Sequence, residues 1–416
     1  MKKTNNKKTL STKIKSLFIE DDDTNITFTL MEVTIIILIS IVFGIIVGYI
    51  ITYNRSEHNR NYHSREILEV YNNIVDNYYY EVDEDKLVDA AVEGMIGSLS
   101  DPYSYYMNKH NTEQFNESID GYFVGIGVTV QYDKDTGNNT IIKVLDSSPA
   151  GKAGLKEGDI LVKVNKTKLK GIYGDKLVKL IRGKAGSIVN ITVKRGNKTK
   201  SYNVKRDIIE LDSVSSKLLE EDDQKIGYIR IDTFASNTYK QFNKQLKKLE
   251  NKDMDSLIID VRNNPGGHLN QARQILSLFF NKKTILYQID NQKYKQKVYS
   301  LTKDTKDYKV AILINGESAS ASEVVASCFK ENYKNGILIG EKTYGKGTVQ
   351  KSKSLSTGTS IKYTTEKWLT SKGKWIEGKG IKPDHEVKQS DEYHEKPNYE
   401  TDTQLQEALK LLKKES

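Results

Sequence analysis

The chain has 416 residues, with 64 Lys and Arg against 55 Asp and Glu and a formal charge of +9. At roughly 150 residues per domain there is room for two or three domains, and 37% hydrophobic content with 25 tyrosines argues against wholesale disorder. Lysines and glutamates interleave with no basic block threaded by aromatics, which argues against a nucleic-acid partner. The single cysteine, Cys328, excludes an intramolecular disulfide and any thiolate metal site; set in an apolar run, it reads as buried and structural.

The first element in chain order is a span. Residues 33–51 carry no charge, and at 1.5 Å per residue they cover about 28 Å, close to one hydrocarbon core. The run closes on Tyr49-Ile-Ile-Thr-Tyr53, a poor ending for signal cleavage. Residues 33–53 therefore read as an uncleaved single-pass anchor behind a tail of residues 1–32. Six lysines lie far out in that tail, acidic residues 20–23 lie nearer the span, and Arg55, Arg60 and Arg65 follow it. Charge does not settle the orientation.

Next, Ile67, Tyr71, Ile74 and Tyr78 recur at helical spacing, as do Leu87, Ala91, Met95 and Leu99. Both stretches predict amphipathic helices, the second stopping at Asp101-Pro102. Near Asp120 the pattern becomes glycine-punctuated, through Gly125, Ile126, Gly127 and Val128. Strands are expected at 128–132, 139–145 and 188–194, a turn at Gly158-Asp159 and a short helix at 177–182. From Lys225, strand and helix alternate. Strands are expected at 226–232, 256–261, 310–314, 337–340 and 348–352, and helices at 237–249, 269–280 and 321–329. That is a mixed α/β body, closed by an amphipathic helix at 405–412.

Three segments of the body carry residue types suited to chemistry. In Ser318-Ala-Ser320-Ala-Ser322-Glu323 a strand turns through small residues into a helix. A serine there stands at a helix N-terminus, where free N–H groups favour negative charge, as an acyl-transfer nucleophile requires. The same segment is also an S-x-x-E capping box, which needs no chemistry. A serine hydroxyl needs a base. His268 lies in a glycine-rich loop, and a Ser/His triad through it stays open. Lys346, between Gly345 and Gly347, is the alternative. It would share a strand face with Thr348 and Gln350 if the strand began there. A lysine base must be neutral, and lowering its pKa from about 10.4 to about 7 costs roughly 4.6 kcal/mol, so burial or a second cation is needed. The third segment, Asp260-Val-Arg-Asn-Asn-Pro-Gly266-Gly267, offers two glycines as amide donors or simply as a strand-to-helix turn.

DVRNNPGG, SASASEVVA and GEKTYGKGTVQ, in this order, resemble the motifs of the C-terminal processing peptidases, or tail-specific proteases. The lead-in LSDPYSYY and the tail WIEGKGIKPD are similar too, so the likeness covers nearly everything after the span. It implies a peptidase body of strand-helix units with an inserted β-rich PDZ domain, behind one transmembrane helix. The implied domains are a helical region at 60–115, a PDZ domain at 116–205, a Ser–Lys peptidase core at 206–390 and a helical segment at 391–416. It implies Ser320 as nucleophile, Lys346 as general base and Gln350 as its orienting partner. The oxyanion hole falls to the Ala321 amide with Gly266 or Gly267, and the carboxylate-receiving loop to Gly125, Ile126, Gly127 and Val128. Arg182 would couple the PDZ domain to the cleft. The implied reaction is serine endopeptidase cleavage near protein C-termini, on substrates with apolar tails, with no metal and no organic cofactor. The implied placement is a cell-membrane protein with a cytoplasmic N-terminus and an extracytoplasmic catalytic domain. The resemblance and the two terminal amphipathic regions also suggest a homodimer. The rival readings are a catalytically silent PDZ scaffold and a Ser–Lys amide hydrolase of the cell wall. Two places depart from the family pattern: His268 stands where an apolar residue is usual, and the stretch around 331–335 runs one residue long.

Overall fold

The computed structural model describes residues 28–145, 147–221, 223–303 and 305–413, with backbone alone for 50–61. Most of the tail assigned to residues 1–32 lies outside the described residues. The chain divides into two units between Ala90 and Ala91.

The first unit is dominated by α1 (Leu30–Asn77), 48 residues long. Thr29 caps it reciprocally: the Glu32 carboxylate accepts the Thr29 N–H at 2.6 Å, and the Thr29 hydroxyl accepts the Glu32 N–H at 3.3 Å. Its stretch Leu30–Tyr49 is long and apolar enough to cross a membrane. The helix does not stop there, so the expected anchor and the amphipathic stretch at 67–78 are one continuous element. The helix α2 (Glu84–Gly97) has no buried residue and ends four residues before the expected Asp101-Pro102 stop.

The second unit opens with β1 (Tyr105–Met107) and α3 (Lys109–Asp120), which Asn108 caps at its start and Gly121, at φ 75°, ends. From there β2 (Tyr122–Gly125) leads into a small β-rich domain. It comprises β3 (Val128–Asp133), β4 (Asn138–Val144), α4 (Pro149–Ala153), β5 (Ile160–Val164), β6 (Thr167–Lys168), α5 (Gly174–Ile181), β7 (Ile188–Arg195) and β8 (Lys198–Lys205). All its strand pairs are antiparallel, in the order β3-β4-β5-β7-β8. Along β7 the exposed Ile188 alternates with buried Val189, Ile191 and Val193. This is the period-two pattern of a strand with one face on a core. The domain's exit strand β9 (Asp207–Glu210) pairs antiparallel with β2. The chain thus enters and leaves through a two-stranded ribbon. Asn237 fastens its base, donating from Nδ2 to the Gly121 and Leu211 carbonyls at 2.9 and 3.1 Å.

The body contains β10 (Val214–Glu221), β11 (Gln224–Ile231), α6 (Thr238–Glu250), β12 (Ser256–Asp260), α7 (Leu269–Leu276), β13 (Ile285–Asp290), β14 (Lys295–Tyr299) and β15 (Val310–Ile314). It continues with α8 (Ala321–Asn332), β16 (Gly336–Gly340), β17 (Thr348–Ser354), β18 (Ser360–Thr370), β19 (His385–Glu386), α9 (Asp391–Glu395) and α10 (Thr403–Leu412). Its main sheet runs β10-β11-β12-β15-β16-β19, parallel from β11 onward. Every residue of β12 and β15 is buried, as parallel strands covered on both faces require. On one face α6, α7 and α8 build a core around Phe242, Phe279 and Phe329. On the other, α10 lays Leu405, Ala408, Leu409 and Leu412 over Ile226, Ile258 and Leu313. The apolar face of α10, one of the two that suggested a dimer, is therefore consumed within its own chain. A second sheet orders β1-β18-β13-β14, with β17 on the free edge of β18. Sequence periodicity marked only β17 of its strands.

Candidate active site

The turn between β15 and α8 is fixed by its own small polar residues. The Ser318 hydroxyl donates to the Val261 carbonyl at 2.8 Å and accepts the Asn315 N–H at 3.0 Å. The Ala319 N–H and the Ser322 hydroxyl both donate to the Asn264 carbonyl, at 3.0 and 2.9 Å. Between these ties Ser320 is driven to φ 54°, ψ −112°, a conformation that costs a non-glycine residue of order 1–3 kcal/mol. Such an elbow pushes the side chain out of the turn at the head of a helix. The Ala321 N–H, first in α8, has no hydrogen-bond partner among the described residues.

The double glycine closes on this elbow. A Cβ on Gly266, at φ 101°, would stand 2.9 Å from Ser320 Cβ and 3.0 Å from Ala321 N. Only glycine permits that approach. The Gly266 N–H is already engaged, donating to Asn264 Oδ1 at 2.8 Å. The Gly267 N–H has no partner among the described residues. Of the two glycines, Gly267 is thus the one left with an unused donor beside that of Ala321.

Lys346 lies in a loop just before β17, which begins at Thr348, so the lysine is not on the strand. The flanking glycines allow close covering: a Cβ on Gly345 would meet Gly380 N at 2.8 Å, and one on Gly347 would meet Trp375 Nε1 at 2.7 Å. The ammonium is half-buried, with Nζ 4.6 Å from the centroid of the Tyr103 ring. Burial holds its pKa down at about 8, helped by the charge of Lys362 and opposed by Glu377, Asp101 and Glu323. Among the described residues no hydrogen bond joins Lys346 to Ser320 or to Gln350. The Gln350 Nε2 donates instead to the hydroxyls of Thr348 at 2.9 Å and Thr364 at 3.1 Å. His268 also makes no bond to Ser320; its N–H donates to the Phe234 carbonyl at 2.8 Å and its Nε2 is buried without a partner.

What joins the two turns is Glu323, fully buried in the first turn of α8. One carboxylate oxygen accepts the Thr343 hydroxyl at 2.6 Å and the Gly345 N–H at 2.7 Å. The other accepts the Ser320 N–H at 2.8 Å and the Lys346 N–H at 2.9 Å. Burial pushes this carboxyl up and the four donors pull it back, leaving it raised. The capping-box reading recognised only the Ser320 bond. The sequence signal that was available is an acid set between small and apolar residues, in SASEVVA.

A second buried group braces the loop that leads to the glycines. Arg262 is 4% exposed, Asp260 0% and Asp402 4%. Arg262 grips Asp260 at 2.6 Å and Asp402 at 2.8 Å, and the Tyr228 hydroxyl donates to Asp260 at 2.6 Å. Asp402 also caps α10, so the last helix is tied to the end of β12. Burial alone would raise the Asp402 pKa; its bonds and charge interaction with Arg262 more than offset this and leave it lowered.

In the small domain, a groove of about 260 Å³ runs between β3 and α5, lined in part by Gly125, Ile126, Gly127, Val128, Leu177 and Arg182. The carbonyls of Ile126 and Gly127 are tied inward, to the Ala150 and Leu145 amides at 2.8 and 3.0 Å. Their own N–H groups have no partner among the described residues. Gly127 sits at φ 79°, and a Cβ there would be 2.4 Å from that of Ser148. Arg182 closes one end of the groove. Its guanidinium pairs with Glu117 of α3 at 2.5 Å and stacks 5.6 Å from the Phe123 ring centroid. His110 Nε2 and Asp175 Oδ2, 3.1 Å apart, form a second contact between α3 and α5.

This is a serine protease carrying a PDZ domain. The family model for peptidase family S41 matches residues 225–387, that for the PDZ domain matches 123–205, and that for the activating protease CtpB N-terminal domain matches 50–111. A probable CtpA-like serine protease of Staphylococcus epidermidis is 38% identical over 362 residues, covering 86% of this chain and 72% of the relative. The carboxy-terminal processing protease CtpB of Bacillus subtilis is 38% identical over 349 residues, covering 83% and 71%. Among solved structures, a photosystem II D1 C-terminal processing protease aligns at 24% identity and a TM-score of 0.45, over 77% of this chain and 92% of that one. The chain belongs to the carboxy-terminal processing proteases of peptidase family S41.

Proposed function

We propose that this chain is a membrane-anchored endopeptidase that cuts proteins near their C-termini with Ser320 as nucleophile and Lys346 as general base. The observation that carries the reading is Glu323, whose carboxylate holds the backbone of both residues, while two amides are left unused, that of Ala321 in the elbow and that of Gly267 in the double glycine packed on it. A neutral Lys346 takes the Ser320 proton as Oγ bonds to the substrate carbonyl carbon. The oxyanion is held by the two amides. On collapse, the C–N bond breaks and Lys346 returns its proton to the departing amine. Water, deprotonated by Lys346, then attacks the ester and frees Ser320. Because Lys346 lies over Tyr103 at rest, a rotation of its side chain toward Ser320 precedes the first step. Gln350, held by Thr348 and Thr364, presents its remaining oxygen to the swung lysine.

Substrate tails dock as an added strand on β3, with the terminal carboxylate on the unused Ile126 and Gly127 amides. Arg182, paired to Glu117, reports occupancy along α3 toward β1 and Tyr103. The Leu30–Tyr49 stretch spans the membrane with the N-terminus inside, placing the peptidase outside. A second copy covers the apolar positions left bare on α2.

The test uses the full chain in detergent with an unstructured protein bearing an apolar tail. Ser320→Ala and Lys346→Ala are expected to lower cleavage by more than about 10⁴-fold, as loss of a nucleophile or its base does elsewhere. Cleavage at the wild-type rate by either variant refutes the dyad. Amidating the substrate C-terminus is expected to raise KM; equal KM refutes carboxylate docking.

A further inference from the structure

A lysine that must be neutral near pH 7 is surrounded here by the wrong sign of charge. Asp101, Glu377 and Glu323 all face Lys346 and favour its ammonium form, and the Tyr103 ring beneath Nζ favours it too. Burial opposes them, but the fold also supplies a second cation.

Lys362 lies on β18, half-buried. Its Nζ is 4.8 Å from the Phe115 ring centroid and 5.4 Å from that of Tyr105, and donates to the Tyr105 hydroxyl at 3.4 Å. Among the described residues no carboxylate pairs with it. Its register partner across the sheet is Tyr105, two residues from the Tyr103 that carries Lys346. Ser104, between the two tyrosines, accepts the N–H of Thr364 of β18 at 3.1 Å, so both ammonium groups sit against the same short stretch of chain, and the charge of Lys362 is felt at Lys346. Thr364, next on the same face of β18, holds Gln350. One strand therefore supplies both the second cation and the glutamine's anchor.

We propose that Lys362 is a positioning residue for the Ser320–Lys346 dyad, whose charge, held by Tyr105 and Phe115, destabilises the Lys346 ammonium and keeps the base neutral. The inference rests on the dyad reading above. Burial lowers the pKa of Lys362 as well; two aromatic faces and a hydroxyl support its charge, and the proposal assigns the proton of the pair to it. The effect is electrostatic, so any permanent cation of similar reach serves.

The experiment is the pH dependence of kcat/KM for the full chain in detergent. In the wild type the rate is expected to climb through a pKa of about 8. Lys362→Met removes a neighbouring positive charge, which raises the Lys346 pKa. The limb is expected to move up by about one unit, lowering the rate at pH 7 about tenfold and restoring it at high pH. Lys362→Arg, a cation at every pH used, is expected to keep the limb in place. A lower plateau with an unshifted limb in Lys362→Met, the signature of a merely structural role, overturns the proposal. If Met at this position unfolds the chain, Lys362→Gln is read by the same criterion. A Lys346→Ala variant that stays active would instead overturn the dyad itself, whatever Lys362 does.

Discussion

Around Ser320 the neighbouring polar groups, apart from the amides of Ala321 and Gly267 and the His268 ring, are engaged within the protein: Ser318 with Val261, Ser322 with Asn264, Gly266 with Asn264, and Glu323 with four donors at once. In the PDZ groove the amides of Ile126 and Gly127 are left over, and the domain joins the body through the β2–β9 ribbon and two contacts to α3. The elbow is over-determined, as a strained backbone must be to persist. The groove is under-determined, which suits the proposed docking of variable tails. A substitution in the body is expected to be felt as stability and, on the proposed function, one in the ribbon or α3 as coupling between binding and cutting.

The largest effect expected from that contrast is at Arg262. Arg262→Met strands Asp402 in the interior without a cation and leaves Asp260 only the Arg230 guanidinium at 3.7 Å, which costs about 3–5 kcal/mol of stability. The sign with pH follows from Asp402. Its pKa is depressed in the folded chain, so its contribution is present above the ordinary Asp range and lost as pH falls below it. In the variant burial acts on Asp402 unopposed by that cation, and its carboxyl instead prefers to be protonated. The deficit is therefore largest at neutral pH and shrinks toward about pH 4. Denaturant unfolding of both proteins at a series of pH values checks this, and affinity for a tail peptide in native buffer is expected to stay unchanged. A variant that loses peptide affinity as well would mean that the two regions are not separable.

Glu323→Gln is the next test. An amide keeps the shape but turns two donors of its own toward a site built entirely of donors. The expected cost is about 2–3 kcal/mol of stability, with kcat reduced about 10²-fold or more because the Ser320 and Lys346 backbones lose their common anchor. Full activity in Glu323→Gln would show that the two turns hold their geometry without the carboxylate.

Much of this was legible in sequence, and the part that was not shares one cause. The alternation of strand and helix after Lys225, the serine at a strand-to-helix turn and the lysine between glycines are local patterns, and the body and its two turns followed from them. The second sheet did not, because its registers are non-local: Tyr105 pairs with Lys362, 257 positions away, and the alternation of β14 is mostly polar. Arg262 meets Asp402 across 140 positions. Glu323 was visible as a helix cap but not as a bridge, since its further partners lie 20 to 23 residues downstream. Lys362 was one basic residue among 64 until β18 placed it opposite Tyr105.

The smallest expected effect is the most informative about coupling. Glu117 and Arg182 keep 25% and 34% of their side-chain surface exposed, so their ion pair is worth no more than about 1 kcal/mol. That is enough to bias two arrangements of the PDZ domain against α3 by roughly fivefold. Glu117→Gln breaks the pair without touching the groove wall. Affinity for an isolated tail peptide is therefore expected to stay within about twofold. The ratio of cleavage rates for free-tailed and amidated substrates should fall by about two- to fivefold. His110 and Asp175 hold the same interface, so Glu117→Gln and His110→Ala together should lower the ratio further than either alone. A ratio unmoved by both would mean that the two regions act as independent modules, with the PDZ domain contributing local concentration and nothing to the state of the elbow.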